Sequence, residues 1–273
     1  MRNTQAKQVI IDDILLNYYQ TSDNGKAVLF IHGNSMSATQ FNHQLNSPLS
    51  DEYRLIAIDL PGHGLSGTSQ KHDYSLPFYT DIIIKFIDAL QLNDVVIVGF
   101  SLGGNIIMQT LAREIKLKGA LIIATVPLSI PFQQDAFLPN VNTPSFFEDK
   151  ISMDTIDRII EENYINSKND SKNITNAILQ TDGKARTDLA KSLFQEFNYL
   201  SEVDYLEKNQ TPIAFILGSE EPYINNKSLN QQDVNSLWRN KIHLIQGASH
   251  LPQLTHISEV NTLTAEFLDD LYE

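Results

Sequence analysis

One run decides the fold of this chain: residues 94–105 read DVVIVGFSLGGN. It begins with a β-branched block, residues 95–98, of the kind that forms a strand buried on both faces of a parallel sheet. Two glycines then flank Ser101, each two positions away, and helix-compatible residues continue to position 113. The pattern predicts a strand that turns sharply into a helix, with a serine at the corner.

A serine at such a corner can act as a nucleophile, because the tight turn lifts its hydroxyl clear of the backbone. The turn closes only if Gly99 and Gly103 stay very small. The amide of Leu102 lies at the start of the helix, where it can donate to a developing oxyanion. A plain glycine-rich turn with Ser101 as helix N-cap fits the same residues, so the rest of the chain has to decide.

Other apolar blocks predict the remaining elements of the sheet. Strands are expected at 27–31, 55–58, 120–126, 212–217 and 242–245, with a hairpin over 8–19. Apolar residues at helical spacing predict helices over 75–90 and 260–271. Alternating strands and helices predict an α/β fold with a doubly wound, mostly parallel sheet. Ligands of such sheets bind at the carboxyl ends of the strands.

Residues 127–210 have a different character. Prolines punctuate the start of this segment, it contains no strand-like block, and apolar residues recur at helical spacing. We therefore expect residues 1–126 and 211–273 to form the α/β core and residues 127–210 to form an inserted helical cap.

The composition argues against some classes of binding partner and indicates a cellular compartment. The chain has 273 residues, a formal net charge of −13 and no cysteine. The negative charge and the lack of any basic run argue against a nucleic-acid or anionic-membrane partner. Without cysteine there is no disulfide, thiolate nucleophile or thiolate metal site. Residues 1–12 show no apolar leader and no run approaches membrane-spanning length, so we expect a cytoplasmic protein.

A serine nucleophile needs a base, usually histidine, and an acid that orients the base. Among seven histidines, His250 stands in a turn just after the last predicted strand, at the expected catalytic edge. The acid should follow the preceding strand, where Glu220 and Glu221 are adjacent. A second oxyanion donor is expected in the loop after strand 27–31, from the amide of Asn34 or, alternatively, of Ser35.

Five ordered motifs resemble those of the α/β-hydrolase superfamily over nearly the whole chain. They are HGN at 32–34, DLPGHGLS at 59–66, GFSLG at 99–103, GSEEP at 218–222 and GASHLP at 247–252. The resemblance implies the α/β-hydrolase fold with Ser101 as nucleophile, His250 as base and Glu221 as acid. Most members have Asp at the acid position, so the longer arm of glutamate leaves Glu220 as an alternative.

The resemblance also implies the reaction. We expect a carboxylesterase-like serine hydrolase that cleaves a small or medium apolar ester through an acyl-enzyme, with oxyanion donors at Asn34 and Leu102. Neither a metal nor an organic cofactor is expected, and the partner is a small-molecule substrate. Candidates for the substrate pocket are three aromatic residues of the insert, Phe132, Phe137 and Phe146, and the alternative is that such aromatics mostly form the core of the insert itself. A C–C bond hydrolase, a lactonase, a perhydrolase and a non-catalytic small-molecule receptor remain alternatives.

Overall fold

An eight-stranded sheet organises the described part of the chain. The computed structural model describes residues 4–230 and 232–272. The strands are β1 (Gln5–Ile11), β2 (Ile14–Gln20), β3 (Lys26–Ile31), β4 (Tyr53–Ile58), β5 (Val96–Phe100), β6 (Gly119–Ile123), β7 (Ile213–Gly218) and β8 (His243–Ile245). They pair in the order β1-β2-β4-β3-β5-β6-β7-β8. β1 and β2 form the predicted antiparallel hairpin, and β4, β3, β5, β6, β7 and β8 pair in parallel.

Helices connect the strands. They are α1 (Asn42–Leu45), α2 (Leu49–Glu52), α3 (Leu76–Ala89), α4 (Leu102–Ala112), α5 (Met153–Glu162), α6 (Lys168–Gln180), α7 (Gly183–Lys191), α8 (Glu202–Leu206), α9 (Asn226–Asn230), α10 (Pro252–Thr255) and α11 (Ile257–Tyr272). Within residues 4–230 and 232–272, none of the helices combines the length and the apolar character needed to cross a bilayer.

The two faces of the sheet bury separate apolar cores. In β5, Ile97 contributes to the core with α3 and α4, whereas Val96 and Val98 contribute to the core with α1 and α11. Each of the three is at most 1% exposed. Because consecutive strand residues point to opposite faces, burial of both faces explains the unbroken β-branched block. The predicted doubly wound architecture is confirmed.

One predicted strand ends early, and the early end shapes the site. The block 120–126 was expected to be extended throughout, but β6 stops at Ile123 because Ala124 has a φ of 47°, which a strand cannot continue. Residues 124–126 instead turn away and line the cavity described below. The other predicted helices and strands are present, with their ends shifted by three residues or fewer.

The chain between β6 and β7 is helical or irregular in its described residues. It holds α5 to α8, two 3₁₀ turns at Gln134–Ala136 and Thr143–Phe147, and a π turn at Ser192–Glu196. Ser152 and Ser167 start α5 and α6, since each side chain accepts from a backbone amide three residues on. That residues 127–210 form a cap domain separate from the core stays a prediction.

Candidate active site

The corner between β5 and α4 places Ser101 above the sheet. Its φ of 51° and ψ of −118° form a conformation that residues other than glycine rarely adopt. A Cβ on Gly99 would overlap the backbone of Gly103, and a Cβ on Gly103 would overlap the carbonyl oxygen of Ile31. The two flanking glycines are therefore required by backbone-to-backbone contact, and that contact holds the serine clear of the strand.

Glu221 and His250 form a hydrogen-bonded pair in the loops after β7 and β8. Oε2 of Glu221 lies 2.7 Å from Nδ1 of His250, and the glutamate side chain is 1% exposed. The other oxygen, Oε1, accepts from the amides of Tyr223 at 2.9 Å and Ile224 at 3.3 Å. With the carboxylate on Nδ1, the imidazole keeps Nε2 as its free acceptor.

The neighbouring carboxylate, Glu220, takes no part in this pair. It accepts from the hydroxyl of Tyr164 at 2.8 Å, and Tyr164 is 47% exposed. The loops after β7 and β8 meet closely, because a Cβ on Gly218 would overlap the carbonyl oxygens of residues 248 and 249. The structure thus brings Glu221, and not Glu220, to His250.

Ser101 and His250 line the same cavity, and the ring of Phe100, the residue before Ser101, has its centroid 4.9 Å from that of the His250 ring. In the part of the chain that the structure describes, no hydrogen bond joins the Ser101 hydroxyl to the imidazole. Contacts of this kind are often long in free enzymes and tighten only in the complex with substrate. The geometry therefore places the two side chains at one cavity without yet joining them.

The two predicted oxyanion donors, Leu102 and Asn34, belong to the two segments that meet at the serine corner. The amide of Leu102 is the first of α4 and so has no acceptor inside the helix. Asn34 lies in the loop after β3, and a Cβ on Gly33 would overlap the ring of Phe100, which brings this loop against the corner. The side chain of Asn34 donates to the carbonyl of Phe146 at 2.6 Å. Asn34 and Leu102 both line the cavity.

Ser35, the alternative donor, lies behind this surface. It is completely buried and is not among the residues that line the cavity. Its hydroxyl accepts from Arg186 at 3.2 Å, and Arg186 is itself 3% exposed. The rest of that guanidinium donates to backbone carbonyls of residues 148, 149, 178 and 181. Arg186 thus ties the loop that carries Asn34 to the segment between β6 and β7.

Two buried histidines support the same loop. Nε2 of His32 accepts from the amide of Leu60 at 2.9 Å, and Nδ1 lies 2.8 Å from the carbonyl of Gly33. A neutral ring with its proton on Nδ1 satisfies both contacts, since a second proton would face the Leu60 N–H. Burial lowers the pKa of His32 to about 4 and that of His63 to about 3. The two rings lie 5.1 Å apart, so these two neutral histidines support the loop that carries Asn34.

The cavity at the serine corner has an uncharged wall. Among the described residues that line it there is no Asp, Glu, Lys or Arg. Its apolar part includes Phe137, Phe146, Phe147, Leu189 and Leu193. Its polar side chains other than Ser101 and His250 are Asn34, Asn105, Thr125, Thr143, Asn163 and Tyr223. A wall of this kind suits a neutral and largely apolar ligand.

One of the three aromatic residues predicted for the pocket lies outside the cavity wall. Phe137 and Phe146 line the cavity, but Phe132 does not. The Phe132 ring stacks on Phe137 at 5.8 Å and packs edge-on against Phe194 at 5.1 Å, so it supports the wall from behind. Residue type could not reveal this, because a phenylalanine in an insert serves a core and a cavity equally well.

Two residues that no sequence motif singles out contact the loops after β7 and β8. The Tyr223 ring packs edge-on against His250, with centroids 5.1 Å apart. Asn163 donates to the Tyr223 hydroxyl at 3.0 Å. Tyr223 follows the acid by two positions, and this proximity was an available signal. Asn163 carried no such signal, because it is sixty residues from its partner in the sequence.

A buried carboxylate lies behind α4. Glu202 is completely buried and accepts from the side chains of Asn105 at 2.8 Å and Gln109 at 2.9 Å, and from the amide of Leu128 at 2.9 Å. Burial raises the pKa of Glu202 to about 8, against the lowering effect of these three donors. Glu202 thereby joins α4 to residue 128, which lines the cavity.

Comparison with known proteins gives both a family and a set of structural neighbours. The profile of the Alpha/beta hydrolase family matches residues 28–263. Over 99% of its length the chain is similar to the N-acyl homoserine lactonase AidH, with a TM-score of 0.92, 24% identity and 98% of that chain covered. The chain is also similar to CumD, a meta-cleavage product hydrolase from Pseudomonas fluorescens, with a TM-score of 0.81 and 19% identity over 97% of both chains. These two likenesses show the fold.

A curated relative matches over a shorter stretch. The serine hydrolase-like protein of Danio rerio is 40% identical over 86 residues, which is 30% of this chain. The chain spans only 26% of that relative's length.

Proposed function

The chain belongs to the alpha/beta hydrolase family, and on that premise we propose that it is a serine hydrolase that cleaves small or medium apolar esters, as carboxylesterases do. The observation that carries the proposal is the Glu221–His250 pair, which opens on the cavity that Ser101 lines. In the proposed roles Ser101 is the nucleophile, His250 the base and Glu221 the orienting acid. The amides of Asn34 and Leu102 form the oxyanion hole.

The proposed reaction has two halves. In the first, Nε2 of His250 takes the proton of Ser101 as Oγ attacks the ester carbonyl, and the imidazolium then protonates the departing alcohol. In the second, His250 activates a water that releases the acid from the acyl-enzyme. Glu221 holds the ring and stabilises its cation, while the two amides stabilise each tetrahedral oxyanion. The scheme uses no metal or organic cofactor.

The uncharged wall supports a neutral substrate. A charged group bound there would lose its hydration without gaining an opposite charge, which is costly. The rings of Phe137, Phe146 and Phe147 and the side chains of Leu189 and Leu193 offer apolar surface to an acyl chain or an alcohol. We place the reaction in a reducing compartment such as the cytoplasm, and the support for this is the cysteine-free sequence.

A lactone is the second candidate substrate. It is an internal ester, so the same residues would open it, with the leaving hydroxyl remaining attached to the acyl-enzyme. The specific support is the similarity to the lactonase AidH over 99% of this chain. C–C bond hydrolysis, supported by the likeness to CumD, perhydrolysis and ligand binding without turnover are the remaining alternatives.

Ser101→Ala is the direct test. Removal of the nucleophile should lower the hydrolysis of p-nitrophenyl butyrate by roughly 10³-fold or more, because no other group can form the acyl-enzyme. Ser22→Ala is the control, since its hydroxyl donates to the carbonyl of Asn24 in an exposed loop. A Ser101→Ala variant that keeps the wild-type rate would contradict the proposal.

A substrate panel separates the candidates. Esters with acyl chains of different length, simple lactones, N-acyl homoserine lactones and ring-cleavage diketones would be compared under one set of conditions. Wild-type protein should also be labelled by a serine-directed fluorophosphonate, and Ser101→Ala should not. A pure binding protein with a disassembled triad would label in neither form.

A further inference from the structure

The loops that follow β7 and β8 are both held by the end of α5. The hydroxyl of Tyr223 donates to Oε2 of Glu162 at 2.9 Å and accepts from Nδ2 of Asn163 at 3.0 Å. The hydroxyl of Ser249 donates to the carbonyl of Glu162 at 2.8 Å and to Oδ1 of Asn163 at 3.3 Å. Two consecutive residues at one helix end therefore contact the acid loop and the histidine loop together.

Tyr223 transmits this contact to the proposed triad by two routes. Its amide donates to Oε1 of Glu221 at 2.9 Å, and its ring packs edge-on against His250 at an interplanar angle of 86°. Its ring also meets Phe146 on the cavity wall, with centroids 5.4 Å apart. A displacement of Tyr223 as a whole residue would therefore move the acid, the imidazole and the wall together.

The backbone of the acid loop is fixed from the same segment. Leu138 donates its amide to the carbonyl of Tyr223 at 2.8 Å, and Asn225 donates to the carbonyl of Ala136 at 2.9 Å. Between these two bonds, residues 137 and 224 form an antiparallel bridge. Since Asn142 also donates to Oε1 of Glu162 at 2.8 Å, residues 136–142 and α5 hold one loop from both sides.

We propose that Tyr223 is a positioning residue, whose hydroxyl makes the alignment of Glu221 and His250 depend on the docking of the α5 end. The inference rests on the proposed function, since it concerns the same triad. A positioning role and a merely structural role differ in which free energy changes when the hydrogen bond is removed. A structural bond stabilises the fold, whereas a positioning bond stabilises the transition state more than the bound substrate.

Tyr223→Phe separates the two roles, because it removes the hydroxyl and keeps the ring and the amide. We expect kcat for p-nitrophenyl butyrate to fall about tenfold, the effect of one lost hydrogen bond, with KM changed less than about twofold. The matched control is Tyr199→Phe. The buried Tyr199 donates to the carbonyl of Ser129 at 3.2 Å and does not line the cavity, so its loss should lower the melting temperature and leave kcat unchanged.

A double variant and a spectroscopic readout complete the test. Glu162→Gln weakens the same bond from the other side, so Tyr223→Phe combined with Glu162→Gln should lose no more kcat than the larger single effect. The proton resonance of His250 Nδ1–H, which reports the bond to Glu221 without turnover, should shift in Tyr223→Phe and not in Tyr199→Phe.

The outcomes distinguish the two proposals. If wild-type protein hydrolyses no ester or lactone, the proposed function fails, and the His250 resonance still decides the positioning role. If wild type is active and Tyr223→Phe matches it in kcat and in that resonance, the positioning role alone is overturned. Equal kcat losses in Tyr223→Phe and Tyr199→Phe would overturn it as well.

Discussion

The two halves of the proposed triad are held by different forces. The serine corner is fixed by backbone packing, because a Cβ on Gly99 or Gly103 would overlap main-chain atoms. The Glu221–His250 pair is fixed by hydrogen bonds, and these reach through Tyr223 to the end of α5. The difference teaches that the proposed nucleophile is positioned by local geometry, whereas the proposed base and acid depend on a segment that is distant in the chain.

The largest expected effect tests the corner. In Gly103→Ala the added methyl group would meet the backbone of β3, which is paired on both sides within the sheet and cannot shift. We expect a loss of roughly 4 kcal/mol or more in the free energy of unfolding, measured by urea titration, together with loss of hydrolysis. Gly67→Ala is the control, since a Cβ there makes only ordinary contacts from 3.5 Å. A wild-type urea midpoint for Gly103→Ala would break the comparison.

The next effect tests the pair. Glu221→Gln keeps the shape of the side chain but favours the wrong imidazole tautomer, and kcat should fall roughly 10³- to 10⁴-fold. Glu220→Gln is the matched control, because that carboxylate bonds to the exposed Tyr164 instead. Steady-state hydrolysis of p-nitrophenyl butyrate measures both. The assignment of the acid would be reversed if Glu220→Gln were the inactive variant.

The smallest expected effect concerns Glu202, the buried carboxylate at the start of α8. The native pKa of Glu202, about 8, lies above its ordinary value of 4.5, so the folded state holds this proton more tightly than the unfolded state. The contribution of this proton to the free energy of unfolding is fully present below pH 4.5 and is lost as the pH rises to 8. In wild type this loss lowers the free energy of unfolding between pH 5 and pH 8, and we expect Glu202→Gln to make that decrease smaller by roughly 2–4 kcal/mol.

The measurement is the free energy of unfolding at pH 5 and pH 8. Glu207→Gln, on the exposed end of the same helix region, should keep the wild-type slope between the two values. A Glu202→Gln variant with an unchanged slope would show that the carboxylate is already ionised in the native state at pH 5, and the serine corner would then have no titrating support from α8.

Local patterns made much of this molecule predictable. The block 95–98, the corner at Ser101 and the helix over 75–90 depend on near neighbours in sequence, and each is present in the structure. The end of β6 was predicted wrongly, because Ala124 adopts a left-handed conformation and lines the cavity instead of continuing the strand. Apolar residue types predict burial well but do not predict a departure from extended backbone.

Contacts between distant segments were out of reach. Glu162 and Asn163 meet Tyr223 and Ser249 across sixty or more residues, and a single sequence carries no record of such pairs. Phe132 was placed on the cavity wall for its aromatic type, yet it packs behind that wall on Phe137. The chain order of Ser101, Glu221 and His250 was informative because it follows the strand order of the sheet.

The uncharged wall also bears on how a catalytic cycle would end. Hydrolysis of a neutral ester yields a carboxylic acid that is ionised at neutral pH, and the described lining offers this anion no Lys or Arg. Water solvates the anion far better than an apolar surface does, so the new charge itself drives the product out. Chemistry and product release would then be coupled, and the liberated acid would compete only weakly with fresh ester.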